Sequence, residues 1–193
     1  MLARALKLHE TSSFIIEWLK SPLVTASVIP SSKRLGRKMV AGLDPSAELV
    51  IELGPGTGVF TNELLAAGIR EEALVLVELN NKFAGKLRKK YPKALVVNGA
   101  AEALSLLQLE NHADAVISGL PLLSIRDEHI DDILSGVFEV MKPGAALVQF
   151  TYGYKCPVKP ELLKKHELVS QRHSFVLNNF PPASVYHIRK KQH

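Results

Sequence analysis

Cysteine is almost missing from this chain of 193 residues, where Cys156 stands alone. One thiol excludes an internal disulfide framework and a cysteine-rich metal cluster, and it points to a reducing compartment. No motif surrounds it, so it reads as a small buried apolar residue and not as a reactive group. Long hydrophobic runs are absent as well. No stretch approaches the ~18 apolar residues of a membrane-spanning helix, and Arg4, Lys7 and His9 interrupt "MLARALKLHETSS", so no secretory signal is expected. Internal repeats, low-complexity tracts and an interdomain linker are also lacking, which leaves one globular domain as the expectation. Acids are the scarcer charge, 19 against 24 Lys plus Arg, a formal +5. That balance favours a polyanionic partner, nucleic acid or an anionic membrane surface, and does not choose between them. With 47% hydrophobic residues the chain has enough apolar material for a sizeable core.

What is present is alternation. The runs "LVIEL" (49–53), "ALVLVEL" (73–79), "ALVV" (94–97), "ADAVIS" (113–118) and "ALVQFT" (146–151) are short, apolar and β-branched, as strands buried on both faces are. Helical patterns lie between them. The clearest is 127–141, where Ile130, Ile133, Leu134, Val137, Phe138 and Met141 recur at helical spacing before "KPG". Strand and helix in strict alternation predict an α/β fold, a doubly wound, mostly parallel sheet with helices on both faces. The tail departs from this rhythm. "ELVSQRHSFVLNN" and "ASVYHIRK" are separated only by "FPP", too short for a helical crossover, and predict an antiparallel strand pair at one sheet edge.

The turn after the first strand, "ELGPGTG", carries Gly54, Gly56 and Gly58 behind Glu52. Glycines there let the backbone approach a ligand at the carboxyl end of the sheet. A phosphate loop needs a Lys after its glycines, and no Lys or Arg occurs between Gly54 and Leu65. The dinucleotide fingerprint spaces its glycines differently, and Pro55 removes a backbone N–H that a pyrophosphate would use. An acid with no nearby cation suits a ligand bearing a positive group and no phosphate. S-adenosylmethionine, with an ammonium and a sulfonium beside one carboxylate, fits; a nicotinamide site and a bare structural turn are the alternatives. Glu78 ends the second strand, where a carboxylate can accept both hydroxyls of a ribose.

From about residue 40 onward the chain resembles the class I S-adenosylmethionine-dependent methyltransferases, seven-stranded Rossmann-like proteins whose motif I looks like "E-L-G-P-G-T-G". The resemblance implies that Glu52 helps to hold the cofactor's amino group, that Gly54, Gly56, Thr57 and Gly58 pass close to its methionine part, and that Glu78 and Leu79 meet the ribose. Ala100, Ala101 and Ser118 complete the implied cofactor site. Ala100 stands where the family usually has an acid near the adenine amino group, so Glu102, backbone or apolar packing must serve instead. After the fourth strand, "SGLPLLS" keeps Leu120 and Pro121 of the adenine-type element but has Gly119 and Leu122 in its Asn and Tyr places. Without a stacking ring, an aliphatic amine is a better acceptor than a nucleobase.

A narrower resemblance runs through "WLKSPLVTASVIPSSKRLGRKM", "SGLPLL", "QFTYGYKCPV" and "NNFPPASVYHIRK", which together look like the bacterial phospholipid N-methyltransferases of the short type. It implies stepwise methylation of phosphatidylethanolamine towards phosphatidylcholine at the inner face of the cell membrane, by a cytoplasmic, peripherally bound enzyme that needs no metal. The expected catalytic groups are Tyr152, Tyr154 and Leu120: ring faces attract a methylated ammonium by ~0.5–2 kcal/mol each, and the Leu120 turn supplies carbonyls. Gly119, Pro121, Ser31, Ser32 and Arg34 are the expected substrate contacts, the two serines as a helix cap that receives a headgroup phosphate. His173 and His187 are candidate bases, although lone strand histidines are more often structural.

Residues 1–40 read as a helical extension that docks on the membrane and covers the cofactor, and 41–193 as the methyltransferase domain. Phe14 and Trp18 group on one short helix beside Lys20, as in an interfacial anchor. The basic clusters Lys33–Lys38, Lys86–Lys93 and Arg189–Lys191 add ~1 kcal/mol per cation at an anionic surface. Three alternatives stay open: an ornithine-type aminolipid as acceptor, an RNA adenine methyltransferase, whose usual extra helical domain is not seen after the last strand, and a binding protein without turnover.

Overall fold

The computed structural model describes residues 33–193, apart from 108, 110, 111, 178, 180 and 193. The anchor expected over residues 1–20, and Ser31 and Ser32, lie outside the described residues.

Helix α1 (Lys33–Val40) buries Leu35, Gly36, Met39 and Val40 as one stripe, with its four cations on the other side. Strand β1 (Val50–Leu53) leads into α2 (Val59–Ala66), and β2 (Leu74–Glu78) into α3 (Asn81–Lys90). Asn80 caps α3, its side-chain oxygen accepting the backbone N–H of Lys82 at 3.0 Å and of Phe83 at 3.3 Å. Then come β3 (Leu95–Asn98), a 3-10 segment over Ala101–Leu107, β4 (Ala113–Ser118), a 3-10 turn over Leu122–Ser124 and α4 (Asp127–Val140). The chain continues through β5 (Met141–Thr151), α5 (Pro160–Lys165), β6 (Leu168–Val176) and β7 (Ala183–Lys190).

The seven strands form one sheet in the order β3-β2-β1-β4-β5-β7-β6. β1 to β5 are parallel, and β7 runs antiparallel to both of its neighbours. This is the doubly wound architecture expected from the sequence, with the antiparallel pair at its edge. The order reverses between β1 and β4, the place where open α/β sheets form a crevice at their carboxyl ends.

Strand alternation divides the core in two. Val50, Leu74, Leu76, Ile117, Val148 and Val185 pack on one face with Leu35, Met39, Phe60, Leu64 and Leu87 of α1, α2 and α3. Ile51, Leu53, Val75, Val77, Val116 and Leu147 pack on the other with Ile130, Ile133, Leu134 and Val137 of α4. Helix α1, grouped by sequence with the extension, is thus part of the domain core. The helix expected over 127–141 stops at Val140, and Met141 opens β5 opposite Ala113. Met141 is buried either way, so its apolar character is blind to the boundary. Pro143 biases Lys142 towards extended backbone and helps to end the helix there.

Candidate functional site

A cleft opens above the carboxyl ends of β1 to β4, lined by Gly54, Gly56, Val77, Glu78, Leu79, Phe83, the turn 99–102, the turn 119–121 and Ile133. Its floor is the contact between the turns after β1 and β4. A Cβ on Gly54 would lie 2.9 Å from Leu120 Cδ2, and one on Gly119 would lie 2.8 Å from the Gly54 carbonyl oxygen. Gly54 also has a φ of +68°, which L side chains rarely adopt. The two turns therefore touch backbone to backbone.

Glu78, almost wholly buried, forms the wall beside β2. One of its oxygens accepts the Gly56 N–H at 2.9 Å and the other accepts the Asn80 N–H at 2.8 Å. A carboxylate has about four lone-pair sites, so acceptor capacity remains for two ligand hydroxyls. Burial pushes its pKa up, and the backbone hydrogen bonds oppose that rise. Glu52 is different. It does not line the cleft but lies fully buried, with Oε2 accepting the Thr61 hydroxyl at 2.6 Å and Oε1 without a hydrogen-bond partner among the described residues. Desolvation raises its pKa to about 7.

Ala100 and Ala101 line the third part of the cleft, and Glu102 stands beside them. Glu102 is buried, its Oε1 without a hydrogen-bond partner among the described residues and 3.6 Å from His129 Nδ1 on α4. His129 Nε2 lies 3.2 Å from Arg126 Nη2. A guanidinium only donates, so Nε2 accepts, and the neutral ring then carries its proton on Nδ1, towards Glu102. Burial raises the Glu102 pKa, and Asp132 adds to the rise. Phe83, Ile133 and His129 gave no sequence signal beyond helical periodicity; Glu102 was visible only as one of several replacements for the missing acid.

In the turn after β4, Ser118 Oγ accepts the Leu120 N–H at 3.3 Å. The Leu120 carbonyl accepts twice, from the Leu122 N–H and from Gln149 Nε2, each at 3.0 Å. Both of its lone pairs are used, so this carbonyl has no capacity left for a further donor. Gln149 lies fully buried in β5, and sequence reading missed it because nothing local marks a polar residue within "ALVQFT".

The remaining expected residues do not converge on the cleft. Thr57 is exposed, and Gly58 is buried where α2 begins. Tyr152 packs edge-on against Phe150, ring centroids 5.3 Å apart, at the face carrying α1 and α2. Tyr154 is 68% exposed and stacks on Phe175. Arg34 is exposed on α1. His173 and His187 stack on each other at 4.2 Å, and His187 borders a separate hollow with Lys142 and Asp114. Desolvation depresses the His187 pKa to about 4. Among the described residues no group of His, Cys, Asp and Glu could hold a metal ion, and no helix is long and apolar enough to cross a membrane.

Among the described residues the cleft lining holds a buried carboxylate and a glycine turn at the switch point and no Lys or Arg, an arrangement that suits a nucleoside without a phosphate chain. Comparison with known proteins narrows the class. The profile of a family described as "Methyltransferase domain" matches residues 50–144. An ornithine lipid N-methyltransferase of Singulisphaera acidiphila is 30% identical over 184 residues, covering 91% of this chain and 94% of that protein. A ribosomal RNA small subunit methyltransferase A of a Synechococcus is 34% identical over 85 residues, but these cover 42% of this chain and 28% of that protein. Among solved structures, a TehB-like S-adenosylmethionine-dependent methyltransferase from Corynebacterium glutamicum matches 95% of this chain with a TM-score of 0.63 at 14% identity, a likeness of fold. The chain belongs to the class I S-adenosylmethionine-dependent methyltransferases, and its cofactor is S-adenosylmethionine.

Proposed function

We propose that the protein transfers methyl groups from S-adenosylmethionine to the primary amine of an aminolipid, phosphatidylethanolamine or an ornithine-type lipid, at a membrane surface. One observation carries this reading: similarity to an ornithine lipid N-methyltransferase extends along 91% of the chain, whereas the similarity to an RNA enzyme stops at about half. The turn after β4 agrees, because Leu122 occupies the place of a base-stacking ring.

The cofactor supplies an electrophilic methyl on sulfur. Glu78 has the acceptor capacity to hold the ribose hydroxyls, Glu102 is an acceptor for the adenine amino group, and the bare backbone of Gly54 and Gly56 lets the methionine part lie close. The acceptor amine must arrive neutral, since its lone pair attacks. Its conjugate acid has a pKa of about 10 by analogy with lysine, and the apolar walls formed by Leu120, Pro121 and Ile133 favour loss of that proton. The Gly119 carbonyl accepts an amine N–H, which aims the lone pair across the cleft. Catalysis then rests on positioning and desolvation.

The test is transfer of labelled methyl to mixed vesicles containing phosphatidylethanolamine, to vesicles containing an ornithine lipid, and to ribosomal RNA. Label in a lipid amine is the expected outcome. Label in RNA alone would replace this reading with adenine methylation.

A further inference from the structure

Four large apolar side chains stand exposed in the segments that follow β3, β4, β5 and β6: Leu106 at 69%, Leu123 at 67%, Tyr154 at 68% and Leu177 at 69%. Those strands end at the edge of the sheet where the cleft opens. Leu95 at 56% and Val169 at 47% are exposed near the starts of β3 and β6, and scattered exposed apolar residues are ordinary; what distinguishes Tyr154 is its support.

Tyr154 is also held in place. Its ring stacks on Phe175 of β6 with centroids 4.9 Å apart and planes 25° from parallel. Behind it, the Tyr186 hydroxyl donates to the Tyr154 carbonyl, and the Ser184 hydroxyl donates to the Gly153 carbonyl at 2.5 Å. Both hydroxyl-bearing residues belong to β7 and are buried. Interior side chains thus fix a loop whose aromatic ring faces outward, with the exposed Lys155 next to it and Leu177 two residues beyond Phe175. A rigid aromatic plate flanked by leucine and a cation suits the headgroup level of a bilayer.

We propose that the Tyr154–Phe175 plate with Leu177, together with the exposed Leu123 of the turn after β4 and Leu106 of the segment after β3, forms the surface by which the carboxyl end of the sheet rests on a lipid bilayer. The choice of a bilayer rests on the aminolipid reading: a substrate anchored by acyl chains reaches the cleft only if the cleft's open end faces the membrane. Apolar side chains and Lys155 on that end meet both parts of such a surface, the acyl boundary and its anionic headgroups.

The test uses the full chain with vesicles of phosphatidylethanolamine and phosphatidylglycerol. Tyr154→Glu and Leu177→Glu should each lower vesicle partition by about tenfold, since an acid replaces an apolar contact at an anionic surface, while affinity for S-adenosylhomocysteine stays as in the wild type and the Tm falls by no more than the few degrees that loss of the Phe175 stack accounts for. Trp18 is the only tryptophan, so Tyr154→Trp in a Trp18→Phe background gives a single reporter. Its emission should shift to the blue on vesicles and be quenched by brominated acyl chains. Unchanged partition in both Glu variants, or an unquenched reporter on a vesicle-bound protein, would overturn the proposal. So would dissociation of a wild-type dimer by Tyr154→Glu, which would make a second copy of the chain the occupant. A loss of Tm or cofactor affinity without a change in partition would make the occupant the chain's own residues 1–32, with the same consequence. Methylated lipid with an unquenched reporter rejects this surface alone; a quenched reporter with no aminolipid methylated rejects the activity alone.

Discussion

The carboxyl edge of the sheet is built in two ways. Over β1 to β3 it is closed and made of main chain, with Glu78 and Glu102 turned into the cleft among glycines and alanines. Over β5 to β7 it is open, with the Tyr154 ring standing outward on Phe175 and its loop held by buried hydroxyls. The first half suits a small, invariant ligand, and the second is where the proposed lipid surface lies. The turn after β4 joins them, since Leu120 touches Gly54 on one side and receives Gln149 from β5 on the other.

The largest expected break falls in the closed half. In the proposed ribose role Glu78→Ala removes acceptors for two hydroxyls, and hydrogen bonds to a charged group contribute ~1.5–3 kcal/mol each, so affinity for S-adenosylhomocysteine should fall by about a hundredfold or more by titration calorimetry. Unchanged affinity would remove Glu78 from the ligand. Next is the junction. Gly119→Ala sets a methyl 2.8 Å from the Gly54 oxygen, and methyl transfer should drop by about tenfold or more because overpacking costs ~1–3 kcal/mol. Wild-type turnover would show that the turns have room to part.

Glu52 sharpens the comparison through stability rather than catalysis. Its folded pKa of about 7 lies above the ordinary 4.5 of a glutamate, so the folded state binds the proton more tightly than the unfolded one. The associated stability is fully present below about 4.5 and is lost as pH rises through about 7. Glu52→Gln should flatten that decline in a series of denaturant melts from pH 4.5 to 8, an effect on the order of 3 kcal/mol by linkage. An unchanged pH profile would mean that Glu52 titrates normally.

The smallest effect concerns the base. If Glu102 accepts from the adenine amino group, the deaminated analogue S-inosylhomocysteine should bind severalfold more weakly than S-adenosylhomocysteine, as one hydrogen bond is lost. His129→Ala should reduce that discrimination, since the ring that packs 3.6 Å from Glu102 no longer confines its carboxylate. Equal binding of the two ligands by the wild type would assign adenine to apolar packing.

How much of this was legible in the sequence follows the same division. The order of elements, the glycine turn and Glu78 were legible because strand alternation and turn chemistry are local. Glu52 and Glu78 look alike in sequence, each an acid closing an apolar run. Register separates them: Glu52 lies opposite Leu76, so Glu78 stands two residues, roughly 6–7 Å, nearer the edge. Only strand pairing contains that information. Gln149, Glu102 and His129 act through contacts between β5, α4 and two turns, which no short window displays. For Tyr152 and Tyr154 the sequence located the loop but not the direction of its rings, and β6 and β7 decide that direction.

The measurement that reaches the central claim most directly is mass spectrometry of the lipids of a bacterium that makes phosphatidylethanolamine but no methylated lipid, after expression of this chain, with an ornithine-lipid-producing strain in parallel. The account predicts aminolipids heavier by one, two or three methyl groups, and none when Glu78→Ala is expressed at the same level. Unaltered lipids in both strains, from a soluble protein that binds S-adenosylhomocysteine, would contradict it.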